Sequence, residues 1–403
     1  MNFKNKNIII GVCGGIAAYK VVELVRLFKK QGANVFVIMT KSALEFVGKM
    51  TFQVLCENNV LIDLFDGKEL DNGSGIKHIE LANNADAVVI APATANIIAK
   101  LAHGIADDAL STTMLAVTAP VMICPAMNTD MYENLRVQRN LDILSRDGFY
   151  VLEPDFGELA CKVTGPGRLP DPEYIADRLD CFLSIKDLKD KNILISAGPT
   201  LEAIDPVRYI SNHSSGKMGY AIAGAAEKRG GKVTLISGPV CIDPPPNIEC
   251  INVESCDQMA ENMMNRADKA DIIIKVAAVA DYKPVQMAKG KIKKKDLKNG
   301  FNIVFKENID ILKALGEKKL KDQFLVGFAA ETDDLEKNAL LKIEKKNLDM
   351  IVANPIGVPG SGFKEDTNKI HIFYKDGSLE NFEIMEKTLI ADIILDRIVS
   401  QIG

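Results

Sequence analysis

A long polar loop closes with Ser214, Ser215, Gly216 and Lys217, just before a helical pattern that starts near Met218. At a helix N-terminus free backbone N–H groups point outward and the helix dipole favours negative charge. Lys217 adds a cation, so the loop suits an anion, by analogy with Gly-rich phosphate loops. The same residues also suit an ordinary strand-to-helix turn with a capping serine. Near the start, Gly14 and Gly15 follow an apolar run and could hold a mononucleotide phosphate, or form a tight turn with no ligand. They do not belong to a GxGxxG, so the dinucleotide fingerprint is absent. Thr94 and Asn96 follow one buried run and Asn128 and Asp130 another. Polar residues at the carboxyl ends of strands are where open α/β sheets bind ligands. Lys289, Lys291, Lys293, Lys294, Lys295 and Lys298 form a basic cluster, and Lys342 and Lys346 lie one helical turn apart. Of the four histidines, His78 at a helix start and His213 in the polar loop are candidate site residues. His371 falls inside a strand pattern, and a lone histidine such as His103 is more often structural.

The elements that must position these residues alternate. Residues 8–12 form a β-branched run, and Ala17, Val21, Leu24, Val25 and Phe28 recur at helical spacing before Gly32. Residues 34–40 read as a second buried strand, 85–91 as a third and 120–125 as a fourth. This β-α-β order predicts a parallel sheet. The Gly- and Pro-rich run at 157–170 reads as an ordered loop or flap. A helix is expected over 174–185. The charged hexamer at 186–191 then reads as an exposed linker between cores. After it the pattern restarts: residues 191–200 match 6–15 in outline, 230–238 match 32–40, and 270–280 match 85–95. The second half is therefore expected to repeat the class of the first, with strands at 301–305 and 325–328, helices at 310–315 and 335–346, and a late hairpin from 370 to 382. The fold expectation is α/β: two Rossmann-like three-layer domains with mostly parallel sheets, the first flavodoxin-like.

Composition limits the function classes. With 403 residues, 47% of them hydrophobic, there is material for two or three domains with sizeable cores. A net charge of -5 argues against a general nucleic-acid binder. The eight cysteines form no CxxC pair, so neither a zinc ribbon nor a disulfide framework is indicated, and the usage suits a reducing compartment. No stretch approaches a membrane span and the first residues are too short for a signal segment, so a soluble cytoplasmic protein is expected.

Several motifs then carry a resemblance over essentially the whole chain. HIEL at 78–81, APATAN at 91–96, PAMNTDM at 125–131 and ACKVTGPGR at 160–168 resemble the phosphopantothenoylcysteine decarboxylases, within the flavoprotein family of homo-oligomeric cysteine decarboxylases. SAGPT at 196–200, DPVRYISNHSSGKMG at 205–219, AAVADY at 277–282, KIKK at 291–294 and GFAAET at 327–332 resemble the phosphopantothenate–cysteine ligases. The order is similar to that of bacterial bifunctional enzymes of coenzyme A biosynthesis. The domains implied are 1–185, an FMN-dependent decarboxylase; 186–191, a linker; and 192–403, a CTP-dependent ligase.

For the second half the resemblance implies attack of 4'-phosphopantothenate on CTP, giving an acyl-cytidylate and pyrophosphate, followed by attack of the cysteine amine. It implies Lys291 as the phosphate contact and Asn212 as the residue tied to the acyl-cytidylate. Lys275, Val276, Ala277, Asp281, Ile309, Asp310, Ile311, Leu312, Phe328, Lys342 and Lys346 are implied as nucleotide contacts, with Mg²⁺ near Asp281. For the first half it implies FMN-assisted decarboxylation of phosphopantothenoylcysteine to 4'-phosphopantetheine. His78 is then base or orienter, Asn128 the substrate-carboxylate ligand and Cys161 the proton donor in the reduction step. Gly14, Gly15, Thr40, Ser42, Ala93, Thr94 and Ser111 are implied as FMN contacts.

To act as an acid Cys161 must stay protonated, so an apolar flap environment is expected. Two positions depart from the family pattern: Lys162 stands where Gly is common, and Ile309 where Pro is common. The resemblance also implies trimeric decarboxylase and dimeric ligase domains, combining into a larger assembly such as a dodecamer. The expected partners are small-molecule substrates, without nucleic acid or membrane. The alternatives are a nicotinamide oxidoreductase, a non-enzymatic flavoprotein regulator, and a single-activity decarboxylase with a regulatory second half. The absent GxGxxG counts against the first, and the set His78, Asn128 and Cys161 against the second.

Overall fold

The computed structural model describes residues 3–64, 77–293, 302–331, 335–355, 357, 360, 362 and 364–402. Lys294, Lys295, Lys298 and Phe301 of the sequence reading lie outside these residues. The chain divides into two compact units, Met1–Ser184 and Ile185–Gly403.

The first unit holds β1 (Asn7–Val12), α1 (Ala18–Lys30), β2 (Asn34–Met39), α2 (Lys49–Cys56), α3 (Lys77–Asn84), β3 (Ala87–Ala93), α4 (Ala95–His103), α5 (Ala109–Ala116), β4 (Val121–Pro125), α6 (Thr129–Tyr132), α7 (Leu135–Arg146), β5 (Tyr150–Val151), β6 (Asp155–Glu158), β7 (Thr164–Arg168) and α8 (Pro172–Leu183). Five strands pair in parallel in the order β2-β1-β3-β4-β5, which is the flavodoxin-like order. β1 is buried on both faces, so its side chains alternate between two cores. Ile8, Ile10 and Val12 pack with Val21, Leu24 and Phe28 of α1 and Leu179 of α8. Ile9 packs with Ile97 and Ile98 of α4, Leu110 of α5 and Leu144 of α7. This is the three-layer arrangement expected. The order reverses between β1 and β3, so their carboxyl ends flank a natural crevice.

The second unit holds β8 (Asn192–Ala197), β9 (Leu201–Ala203), β10 (Tyr209–Ser211), α9 (Lys217–Lys228), β11 (Lys232–Ser237), β12 (Glu249–Asn252), α10 (Cys256–Ala267), β13 (Ile272–Lys275), β14 (Tyr282–Pro284), β15 (Phe305–Glu307), α11 (Ile311–Lys318), β16 (Phe324–Glu331), α12 (Leu335–Lys345), β17 (Met350–Pro355), β18 (Thr367–Tyr374), β19 (Leu379–Glu386) and α13 (Lys387–Ile402). Its sheet runs β12-β11-β8-β13-β16-β17-β18-β19. The first six strands are parallel, and the β18–β19 hairpin adds an antiparallel edge. Ile193 and Ile195 face α9 and α13, whereas Leu194 faces α10, α11 and α12.

Two expectations change. The charged hexamer at 186–191 is part of the second unit. Leu188 is fully buried, its N–H donates to Arg229 O, and Asp187 Oδ1 accepts from Arg229 Nε at 2.8 Å. Hexamer charge pointed to solvent, but one leucine and one buried arginine decide its placement. The strand expected at 301–305 is instead β15, which pairs with β14 in a separate two-stranded ribbon.

Candidate functional site

A cleft of ≈ 1240 Å³ opens at the carboxyl edge of the first sheet. Gly14, Gly15, Thr40, Ser42 and Thr94 line it, each from a turn that leaves β1, β2 or β3. A Cβ at Gly14 would lie 2.4 Å from Ser42 Cβ and 2.8 Å from Ser42 C. The two turns therefore touch backbone to backbone, and only glycine fits. Thr40 Oγ1 is buried and has no hydrogen-bond partner. Thr94 is the N-cap of α4, yet its side chain makes no cap bond. Buried polar groups are normally paired, so an unpaired hydroxyl in a cleft backed by a helix N-terminus fits a polar, phosphate-bearing ligand.

The flap meets this cleft. Asn128 is the N-cap of α6, and its Oδ1 accepts from Asp130 N at 2.9 Å and Met131 N at 3.4 Å. Its Nδ2 donates to Cys161 Sγ at 3.3 Å. Cys161 sits in the tight turn between β6 and β7, closed by Lys162 N–H to Leu159 O and Leu159 N–H to Val163 O. The flap glycines explain how the turn arrives there. A Cβ on Gly165 would lie 2.6 Å from Thr129 Oγ1, and one on Gly167, at φ +136°, would lie 2.2 Å from Met127 O. The hairpin backbone thus lies directly on the 127–129 segment and delivers Cys161 to Asn128.

The apolar environment expected for Cys161 is corrected. The residue is exposed, and the Asn128 donor, with the Val163 N–H, lowers its thiol pKa below the ordinary value. The thiol lies at the flap tip, where its side-chain partner is the polar Asn128 amide. Lys162 follows at φ 63°, a left-handed conformation that glycine adopts without steric cost. This accounts physically for the glycine common there in the family. Lys162→Gly is expected to stabilise the protein by about 0.5–1 kcal/mol, the relief of strain exceeding glycine's unfolded-state entropy. Thermal unfolding checks this, and an earlier melt than the native chain contradicts it.

The remaining residues expected in this half lie elsewhere. His78 is half-buried on α3 and does not line the cleft. Ala93 is fully buried in β3. Ser111 is buried as the third residue of α5, in a capping box with Asp108: Ser111 N–H donates to Asp108 Oδ1 at 2.8 Å, and Asp108 N–H to Ser111 Oγ at 3.1 Å. Sequence reading passed over Lys100, which lines the cleft and binds Asp107 at 2.6 Å and Asp108 at 2.7 Å. The signal was present as an Asp-x-x-Ser capping pattern next to a lysine at the end of the Thr94 helix.

In the second unit the carboxyl edge is knitted from three motifs. Ala278 N–H donates to Gly198 O at 2.9 Å, Ala280 N–H to Thr200 Oγ1 at 3.2 Å, and Asn212 Nδ2 to Val279 O at 3.0 Å. Val276 N–H and Ala277 N–H both bond Ser196. Lys275 ends β13, and its ammonium turns back on Ala277 O at 2.7 Å. Burial, helped by the nearby Lys346 ammonium, pushes Lys275 down to about 8. Lys346 pairs with Asp310 at 2.7 Å, while Asp310 Oδ1 caps α11 through Lys313 N–H. That cap starts the helix at Ile311 without the family's proline. Lys342 is one turn before Lys346, and Lys346 N–H donates to its carbonyl. Asp281 is exposed, and its carbonyl accepts from Asn308 N–H at 2.8 Å; Asn308 Oδ1 is buried without a partner.

Lys275, Asp310 and Lys346 are thus brought together, with Asp281 close enough to act on Lys275 electrostatically. Phe328 is half-buried on β16, Ile309 is exposed, and the side chains of Ile311 and Leu312 belong to the core. Lys291 is exposed, as are Asn212 and His213. Lys217 does not stand free at the mouth of α9: it binds Asp366 Oδ1 at 2.6 Å and Lys364 O at 3.0 Å. Gly216, rather than a serine, is the N-cap. His371 Nδ1 pairs with Asn381 Oδ1 across the β18–β19 hairpin. Among the described residues no group of three His, Cys, Asp or Glu could hold a metal. Nor, among them, is any helix long and apolar enough to cross a membrane.

Residues 1–184 match the family described as "Flavoprotein", and residues 188–402 the family described as "DNA/pantothenate metabolism flavoprotein C-terminal domain". The chain is 49% identical over 398 residues to the Coenzyme A biosynthesis bifunctional protein CoaBC of Bacillus subtilis, covering 98% of this chain and 97% of that protein. It is 43% identical over 403 residues to the protein of the same name from Escherichia coli, covering 100% and 98%. A solved C-terminal domain of Coenzyme A biosynthesis bifunctional protein CoaBC is 40% identical, with 54% of this chain and 97% of that one covered and a TM-score of 0.46.

Proposed function

The chain belongs to the family of bifunctional coenzyme A biosynthesis proteins, and from that premise we propose how its residues divide the work. It is an enzyme with a decarboxylase and a ligase activity, the first unit being the flavoprotein and the second the ligase. The observation that carries the finer reading is the Asn128–Cys161 contact at the mouth of the Thr40 cleft.

In the ligase unit, the carboxylate of 4'-phosphopantothenate attacks the α-phosphate of CTP. The acyl-cytidylate forms, pyrophosphate leaves, and the cysteine amine displaces CMP to give the amide. Lys275, Lys342 and Lys346 hold the phosphates, with Lys291 at the reacting end, because charge spread over phosphate oxygens is stabilised by fixed cations. Phe328 and the backbone at 276–277 and 309–312 contact the nucleotide. Asn212, fixed to Val279 O, holds the acyl-cytidylate. Mg²⁺ is commonly held by one or two carboxylates together with substrate phosphates, and Asp281 beside the unpaired Asn308 Oδ1 suits that mode. Bound there, the ion would neutralise triphosphate charge.

Lys275 gives this unit a pH dependence. Only its protonated form attracts phosphate, and that form is lost as pH rises through about 8. The kcat/KM for CTP is expected to fall on that alkaline limb, and Lys275→Arg to remove it, since Arg stays charged. A limb that survives in Lys275→Arg assigns the titration to another group.

In the flavoprotein unit, Gly14, Gly15, Thr40, Ser42 and Thr94 hold FMN, with Ala93 and Ser111 acting through backbone and packing. The cofactor supplies the two-electron chemistry that makes the cysteinyl carbon able to release CO₂. Asn128 Nδ2 binds the substrate carboxylate through its second N–H. That carboxylate brings a negative charge beside the sulfur and raises the Cys161 pKa. The thiol is thereby kept protonated while the carboxylate is bound. Once CO₂ has left, it donates its proton to the decarboxylated carbon, the thiolate so formed being held by the Asn128 donor. His78 orients or deprotonates the substrate from a second copy, in a trimer whose exposed apolar residues include Met50, Val54 and Leu135. The ligase units pair as dimers. Net negative charge fits small-molecule partners in the cytoplasm and no nucleic acid.

The test is a coupled assay with 4'-phosphopantothenate, cysteine, and CTP or ATP, following pyrophosphate and CO₂ separately on protein whose absorbance and sedimentation are recorded. Yellow oligomeric protein that makes both products with CTP is expected. Colourless protein, or ATP serving better than CTP, refutes the corresponding half.

A further inference from the structure

We propose that Asp205 is a positioning residue for the ligase reaction: it clamps the segment that carries Lys291. Asp205 lies in the turn between β9 and β10, where Ile204 N–H donates to Arg208 O at 2.8 Å. It is 2% exposed, and its two oxygens do different jobs. Oδ1 accepts from Val207 N and Arg208 N, each at 2.9 Å, and so builds the turn. Oδ2 accepts from Arg208 Nε at 3.0 Å, from Arg208 Nη2, and from Ile292 N at 3.2 Å. Arg208 Nη2 donates in turn to Ile292 O at 3.0 Å. One residue of the basic segment, Ile292, is thus held by both its backbone N–H and its backbone carbonyl. A second tie, Ala288 N–H to Ile204 O at 3.0 Å, lies four residues earlier. Lys289, Gly290 and Lys291 are the residues between the two ties.

The electrostatics fit a clamp. Arg208 holds the Asp205 carboxyl well below the usual carboxylate range. Neutralised by that guanidinium, the carboxylate does not draw the Lys291 ammonium away from a phosphate. Without the ties, the segment would have to be ordered at the moment of reaction. Misplacing a reacting group by about 1 Å costs roughly 100-fold in rate.

The inference rests on the reading of Lys291 as the phosphate contact, and the test separates the two. In the full chain, Asp205→Asn keeps an oxygen for the Val207 and Arg208 N–H groups. It replaces the acceptor for Ile292 with an amide that cannot accept. Pyrophosphate release is expected to fall roughly 100-fold, chiefly in kcat, with decarboxylation of added phosphopantothenoylcysteine unchanged. Trypsin cleavage after Lys291 is expected to quicken, an effect that needs no activity. In a Lys291→Gln background Asp205→Asn is expected to add nothing. Lys291→Gln at the native rate removes the underlying reading. A slow Lys291→Gln with Asp205→Asn at the native rate overturns the clamp alone, as does an equal loss from Asp205→Asn in both backgrounds. Should Asp205→Asn unfold the unit, seen as cleavage throughout 185–403, Arg208→Lys carries the test. It keeps a cation for Asp205 and loses the arm to Ile292 O; a native cleavage pattern then overturns the clamp.

Discussion

Asn128→Asp lowers decarboxylation by about two to three orders of magnitude, the usual loss when one aimed donor is removed from a reacting centre, while FMN stays bound and pyrophosphate release is unchanged. The substitution is chosen for what it keeps. Oδ1 of an aspartate still accepts from Asp130 N and Met131 N, so α6 retains its cap. What disappears is the Nδ2 donor 3.3 Å from Cys161 Sγ. An anion takes its place, repelling the substrate carboxylate and disfavouring the thiolate. The Cys161 pKa therefore rises. Alkylation of that cysteine by iodoacetamide slows in step with the loss of CO₂ release. Unchanged alkylation and near-native decarboxylation would show that this contact does no chemistry.

Gly14→Ala gives the second large effect, a chain that purifies pale or colourless yet still releases pyrophosphate. The new Cβ would sit 2.4 Å from Ser42 Cβ and 2.9 Å from Ser42 O. Overpacking of this kind costs about 1–3 kcal/mol. If the β1 and β2 turns separate to relieve it, that cost comes from the FMN site they build together. A factor of about ten in FMN affinity corresponds to 1.4 kcal/mol, so a weakening of roughly 5- to 150-fold is expected. Gly48→Ala is the control, because its Cβ would meet nothing within 4 Å and Gly48 does not line the cleft. Equal FMN content in all three proteins would separate the Gly14 turn from the cofactor. Absorbance near the flavin bands and FMN released on denaturation measure the outcome.

Much of the scaffold was legible in the sequence because it follows from short-range patterning. The β-branched run of β1, the helical spacing of Val21, Leu24, Val25 and Phe28, and the strand-helix alternation fix a parallel sheet. Local motifs also led to Asn128, whose cap is written in the Asn-Thr-Asp-Met order. What failed to show was set by partners distant in the chain. Lys217 looked free for an anion, but Asp366, 149 residues on, takes it. Nothing near Cys161 in sequence tells that Asn128 would be its neighbour, so its polar setting was missed. The motif around Asp205 gives that residue no visible role, because its partner Ile292 lies 87 residues away.

The placement of Leu188 has a practical reading for anyone dividing the gene. Arg229 is 8% exposed and binds Asp187 and Asp396. A ligase fragment that begins at 192 would discard Leu188 and leave that guanidinium with Asp396 as its remaining carboxylate, a loss on the order of 1–3 kcal/mol for the missing partner alone. A fragment beginning at 185 keeps both. The expression boundary therefore belongs ahead of the charged hexamer, and a truncation made at its far side would be mistaken for proof that the ligase cannot live alone.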